Sequence, residues 1–175
     1  NTVDLFEFNT NRILYTGTTS SAYKVYVEEG VDIEKSTNNL NSQIQEAFDF
    51  SGLKDDISDP SNDSTNIKTT IRLMQPYGLA YAYVDHVGIQ RDYEPGMLRT
   101  DQESLNSVLW ATVHEVGHQM DISSRELGEI TNNMFSNNAY MKNNAGDRVP
   151  YNELYNLLAP DDSSQNFDDI SYSQR

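Results

Sequence analysis

The chain has 175 residues, enough for one domain with a real core and short for two. Its 12 basic and 27 acidic residues leave a net charge of -15, which opposes contact with nucleic acid or an anionic membrane surface, so neither is expected as a partner. It has no cysteine, which excludes disulfides, thiolate metal sites and cysteine nucleophiles and leaves His, Asp and Glu to hold any metal.

No apolar run reaches the roughly 18 residues of a membrane span, and Asn1 opens neither a charged nor an apolar leader, so membrane insertion is not expected. A chain beginning at Asn without Met is expected to be processed or cut from a longer protein. Abundant Asn, Ser and Thr beside the lack of cysteine suit a secreted protein.

From Ala22 to Glu28, Tyr23, Val25 and Val27 alternate with Lys24, Tyr26 and Glu28, which predicts a half-buried strand closed by Gly30. Between residues 32 and 50, Ile33, Leu40, Ile44, Ala47 and Phe48 recur near helical spacing, which predicts a surface helix with Gly52 just beyond its end. Residues 55–65, DDISDPSNDST, are turn formers and carboxylates. Their spacing matches no EF-hand loop, so a solvated loop is expected there rather than a calcium site. Two strand-like runs follow, Ile67 to Met74 and Leu79 to Gln90, joined at the turn Gln75-Pro76-Tyr77-Gly78 and expected to pair.

After Gly96 the pattern turns helical. Thr100 with Glu103 has the form of a capping box, followed by Leu105, Val108, Leu109, Thr112, Val113, Val116 and Met120 at i, i+3, i+4 spacing. A second box, Ser123 with Glu126, opens another helix with Leu127, Ile130, Met134 and Phe135 on its apolar face, after a tight connection at Asp121 and Ile122. The acidic stretch from Asp161 to Asp169 reads as a solvated tail. The organisation expected is one domain over 1–175, sheet-rich to residue 99, helical over 100–160, with a tail over 161–175.

The first of these helices carries HEVGH at 114–118. Residues four apart stand on one helix face, so His114 and His118 can reach one metal, and Glu115 falls where a hydrolytic zinc site needs its general base. Two ordinary core histidines are the plain alternative. The chain has only three histidines, however, and two of them sit at ligand spacing around that Glu. The metzincin extension would need Gly at 121 and His at 124, where this chain has Asp121 and Ser124. A carboxylate from the next helix is the other solution. Of Asp121, Glu126 and Glu129, Glu126 already serves the Ser123 box, which leaves Glu129 as the better third ligand. Asn133, one turn after Glu129, could accept the N–H of a ligating histidine, or be a solvated helix Asn.

HEVGH, followed ten residues later by Glu129 within GEITNNMFS, resembles the M60 (enhancin-like) peptidase family, a gluzincin group. The upstream run AYAYVDHVGIQRDYEPGML resembles the segment before that family's zinc helix, and the likeness covers about residues 78–136. The resemblance implies one zinc held by His114, His118 and Glu129, with Glu115 as the catalytic acid/base. It implies an α+β, zincin-like fold: a mixed sheet with a flanking helix, then the HExxH helix, then a helix bearing the third ligand. It also implies a secreted or cell-surface mucinase, cleaving mucin-like O-glycosylated proteins and often built with carbohydrate-binding modules elsewhere in the parent protein. The family's catalytic region continues beyond the zinc ligands, whereas this chain ends at Arg175, so the far wall of the cleft is expected to be missing.

Hydrolysis would have Glu115 take a proton from a metal-activated water and pass it to the leaving amine. His86, Tyr83 and Tyr140 are the candidates for a further oxyanion or substrate contact, and Leu79 to Gln90 is a candidate sheet edge for an extended substrate. A glycoprotein-binding or adhesion module that keeps the fold without much proteolysis is the first rival reading. A purely structural zinc domain is the second.

Overall fold

The computed structural model describes residues 4–74, 78–120 and 129–145, the side chains of Met74, Glu129 and Ile130 excepted. The chain divides into two compact units, Asn1–Ala145 and Gly146–Arg175. The described residues all belong to the first.

The sheet begins where no strand was expected. β1 (Phe6–Asn9) and β2 (Ile13–Gly17) form an antiparallel pair. β2 alternates inward Ile13 and Tyr15 with exposed Leu14, as a strand with one buried face must. The chain then crosses over through α1 (Thr19–Ala22), a π-helical turn (Tyr23–Glu28) and α2 (Ile33–Ser51). It returns as β3 (Thr69–Met74), parallel to β2.

The strand expected over 22–28 is therefore a helix. Thr18 caps α1 by accepting the Ser21 N–H at 3.2 Å, which commits the chain to helix before the alternating residues begin. The Glu29 N–H then reaches back five residues to Lys24 O, the π pattern. Of the alternating side chains only Val25 is buried, while Tyr23 and Val27 face solvent.

α2 follows its prediction. Asp32 caps it through Lys35 N, and Gly52 ends it at φ 84°, a left-handed position suited to glycine. Leu40, Ile44, Ala47 and Phe48 are buried, and Ile33 is exposed. The acidic loop that follows is more than solvated turns. Arg12, itself buried, holds Asp55 at 2.5 Å and Ser64 O at 2.9 Å, and its guanidinium lies over the Phe48 ring.

The run from Leu79 to Gln90 folds as two strands, β4 (Ala80–Ala82) and β5 (Val87–Gln90), antiparallel to each other. β5 pairs with β3 in parallel, so the expected pairing of the two runs exists but is not a hairpin. Among the described residues the order β1-β2-β3-β5-β4 puts β4 at an edge and β5 inside. At Gly88 the Tyr81 ring of the paired residue closes over the strand, leaving no room for a Cβ.

A 3-10 turn (Arg91–Tyr93) leads into α3 (Glu94–Leu98), and then α4 (Gln102–Met120) and α5 (Glu129–Lys142) follow. Asp101 rather than Thr100 caps α4, accepting from Ser104 N at 2.9 Å and Ser104 Oγ at 2.8 Å. Val108, Leu109, Thr112, Val113 and Val116 face inward, as their spacing predicts. Buried side chains of β2, β3, β5, α2, α4 and α5 form one core. The expected turn at Gln75, Pro76 and Tyr77, the Ser123–Glu126 box, the connection at Asp121 and Ile122, and the acidic tail lie outside the described residues. Among the described residues no helix is long and apolar enough to cross a membrane.

Candidate active site

The second half of α4 is drawn inward by Val113, Val116 and Gly117, and this places His114, Glu115 and His118. The two imidazoles share one helix face, as residues four apart do. Their ring centroids stand 5.0 Å apart with planes at 88°.

Each ring is met by an asparagine from α5. Asn133 Oδ1 lies 3.2 Å from His114 Nδ1, and Asn132 Nδ2 contacts His118 Nδ1. The helices run antiparallel, so the same ladder continues away from the site. Ser136 donates to Trp110 O at 3.1 Å, and Tyr140 to Asn106 O at 2.5 Å. Gly117 permits this closeness: a Cβ there would stand 3.2 Å from the Phe135 ring.

Glu115 and His118 line a cavity of about 500 Å³ with Ala80, Tyr81 and Ala82 of β4. The edge strand thus borders the same hollow as the glutamate. A second hollow of about 540 Å³ is lined by Asp92, Arg99, Glu103 and Ser107, among others, at the opposite end of α4, and no histidine lines it.

The donor set fits a zinc-type ion: two imidazoles at i, i+4, each with Nδ1 turned to a neighbouring side chain so that coordination would use Nε2, and no thiolate in the chain. Among the described residues no three His, Asp or Glu side chains converge. The third-ligand candidates of the sequence reading lie outside the described side chains. Asp121 and Glu126 fall in that category, and so does the Glu129 side chain, although its backbone opens α5.

The remaining candidates separate. Tyr83 and His86 sit in the β4–β5 connection, rings stacked at 5.3 Å, with Tyr83 O tied to α4 by the Gln119 amide at 3.0 Å. His86 Nδ1 pairs with Asp85 at 2.8 Å, and that bond holds the Asp85 carboxyl below its usual range. Tyr140 is buried beside Trp110 with its hydroxyl on Asn106 O, two helical turns from His114. It is not brought to the histidines. Tyr81, which the sequence did not single out, does line the cavity. Burial raises its phenol pKa, the neighbouring Tyr83 adding to the effect, so it stays protonated and able to donate. Period-two counting from Tyr83 would have found it, since both lie on one face of β4's run.

The site is thus a helix bearing His114, Glu115 and His118 beside β4 of a mixed sheet. The chain belongs to the family described as peptidase M60, enhancin and enhancin-like, whose model matches residues 1–160. The fold is shared with the catalytic module of the metalloprotease ZmpA from Clostridium perfringens, at TM-score 0.69 and 21% identity over 87% of this chain and 29% of that one. It is shared with a functionally unknown conserved protein from Bacillus anthracis, at TM-score 0.72 and 20% identity over 90% and 33%. A third likeness is the M60 catalytic domain of ZmpC from C. perfringens in complex with the sialyl T antigen, at TM-score 0.62 and 23% identity over 80% and 26%. The chain thus spans about a third or less of these solved chains. No curated protein matches it.

Proposed function

We propose that the chain is the metal-binding part of a zinc-dependent endopeptidase acting on mucin-like O-glycosylated proteins outside the cell. The observation that carries the reading is the shared hollow: Glu115 and His118 face the edge strand β4 across one cavity, while both histidines turn Nδ1 to α5.

In this reading His114, His118 and Glu129 hold one zinc. When bound, zinc acts as a Lewis acid that lowers the pKa of water toward ~7 and stabilises negative charge developing on the substrate carbonyl. Glu115 accepts a proton from the attacking water and delivers it to the leaving amine. β4 pairs on one side only among the described residues, so an extended substrate can add to its other edge through main-chain hydrogen bonds. Such pairing would lay the peptide along the cavity wall. Tyr81, protonated there, is the side chain best placed to donate to substrate.

Membership of the M60 family supports peptidase chemistry, and the sialyl T antigen bound to the ZmpC domain supports a glycoprotein substrate. The test is digestion of a glycosylated and a deglycosylated mucin, read by mass spectrometry beside the zinc content of the protein. Zinc near one per chain and cleavage of the glycosylated substrate are expected. Binding of the mucin without cleavage would favour the adhesion module. Zinc without cleavage or binding would leave a structural site.

A further inference from the structure

Asn132 is fully buried on α5, its amide nitrogen meets His118 Nδ1, and its Oδ1 has no partner among the described residues. An amide N–H is always a donor, so in that orientation His118 Nδ1 must accept and the ring proton must sit on Nε2. An imidazole protonated on Nε2 cannot coordinate a metal through that atom. Rotating the amide by half a turn puts Oδ1 on Nδ1 instead. One atom of the amide lacks a partner in either orientation, so the histidine decides between them. A metal on Nε2 requires Nδ1–H, and Nδ1–H requires the carbonyl.

We propose that Asn132 is a positioning residue that presents its carbonyl oxygen to His118 Nδ1 and fixes the Nδ1–H tautomer, as Asn133 does for His114. The proposal rests on the reading of His114 and His118 as metal ligands. The geometry for it comes from antiparallel packing: Asn133 meets His114 while the preceding Asn132 meets His118 one helical turn further on. Two consecutive asparagines thus serve two histidines four residues apart, and Gly117 between them keeps α5 close. Both ring orientations and both tautomers are then set before any metal arrives. A buried amide with an unmet atom is otherwise a standing cost with no return.

The test reads the tautomer directly. Imidazole 15N shifts are recorded on the metal-free 175-residue chain about two pH units above the ordinary histidine value, where the rings are neutral. Wild type is expected to show His118 with the proton on Nδ1. Asn132→Leu, similar in size and without an acceptor, is expected to move it to Nε2, and Asn132→Asp, which restores an acceptor, to return it to Nδ1. Chelator competition should show zinc affinity lowered about 10- to 100-fold in Asn132→Leu and recovered in Asn132→Asp. A wild-type His118 protonated on Nε2, or an Asp variant that fails to restore Nδ1–H, overturns the proposal even if the Leu variant does not fold. Unchanged zinc affinity in a folded Leu variant does the same. A wild type that binds no zinc yet keeps an Asn132-dependent Nδ1–H sinks the zinc reading and supports the positioning role.

Discussion

Gly117 on α4 faces the Phe135 ring of α5 at a distance that would leave a Cβ 3.2 Å from the aromatic carbons. Phe135 is itself held edge-on by Phe50 at 5.0 Å, so it has little room to retreat. Gly117→Ala gains up to about 1 kcal/mol of helix propensity and loses part of it to crowding, so its melting temperature should stay close to wild type. Gly117→Leu should cost about 1–3 kcal/mol by overpacking and, by prising α5 from the histidines, weaken zinc binding as well. Thermal melts and chelator competition on both variants check this. A Leu variant with unchanged zinc affinity would show that α5 does not hold the site.

Glu115→Gln keeps the size of the side chain and leaves both histidines untouched. Zinc content should match wild type while proteolysis falls by at least ~10²-fold, the lower end of general acid-base catalysis. Near-normal turnover in the variant would remove Glu115 from its role.

The cap of α4 separates what spacing could say from what it could not. Thr100 and Glu103 had the form of a capping box, but the chain reaches helical geometry one residue later, and Asp101 takes the Ser104 N–H. That bond holds the Asp101 carboxyl below its usual range. Because the folded pKa is depressed, the stabilisation is present above the unfolded value near ~3.9 and lost as pH falls through the folded one. Asp101→Ala should cost about 0.5–2 kcal/mol at neutral pH and little in acid, while Thr100→Ala should stay within about 0.5 kcal/mol. Equal losses in the two variants would restore the original box.

The same limit explains the other departures in the fold. Tyr23, Val25 and Val27 alternate as a strand would, but periodicity is blind to a cap five residues upstream at Thr18. The β4–β5 connection, Tyr83 to His86, has neither Gly nor Pro to announce it, and Val84 within it is 99% exposed despite its apolar side chain. α2 and α4 were legible because each carries four buried apolar side chains at helical spacing, Leu40, Ile44, Ala47 and Phe48 in one and Val108, Leu109, Val113 and Val116 in the other. The histidine pair was legible because a single helix contains it. Asn132 was not, since its meaning comes from α5 packing against that helix, and one sequence carries no record of which elements meet.

Tyr15 offers a check at alkaline pH. Its hydroxyl donates to the buried Glu94 carboxylate at 3.1 Å. Burial, and then the Glu94 charge, push its pKa well above 10. A raised folded pKa means that this stabilisation is complete below the unfolded value and is lost as pH climbs toward the folded one. The melting temperature should therefore fall more steeply above about pH 10 in wild type than in Tyr15→Phe, which has no proton to lose there. Parallel slopes would show that Tyr15 does not govern the alkaline limb.

Glu129 opens α5 three and four residues before Asn132 and Asn133. Residues at those spacings share a helix face, and that face is the one whose asparagines meet His118 and His114. Glu126, three residues earlier and outside the described part of the chain, has the competing role of partner to Ser123 in a helix cap. If that division holds, Glu126→Ala should cost about 0.5–2 kcal/mol of stability and leave zinc stoichiometry intact. Glu129→Ala should do the reverse. It removes a ligating carboxylate, so zinc affinity and proteolysis should collapse together, while Phe135 and Ala139, both buried, still dock α5 on the core. Bound zinc and melting temperature measured on both variants decide the assignment. Zinc lost from the Glu126 variant and kept by the Glu129 variant would move the third ligand out of α5 and into the segment before it.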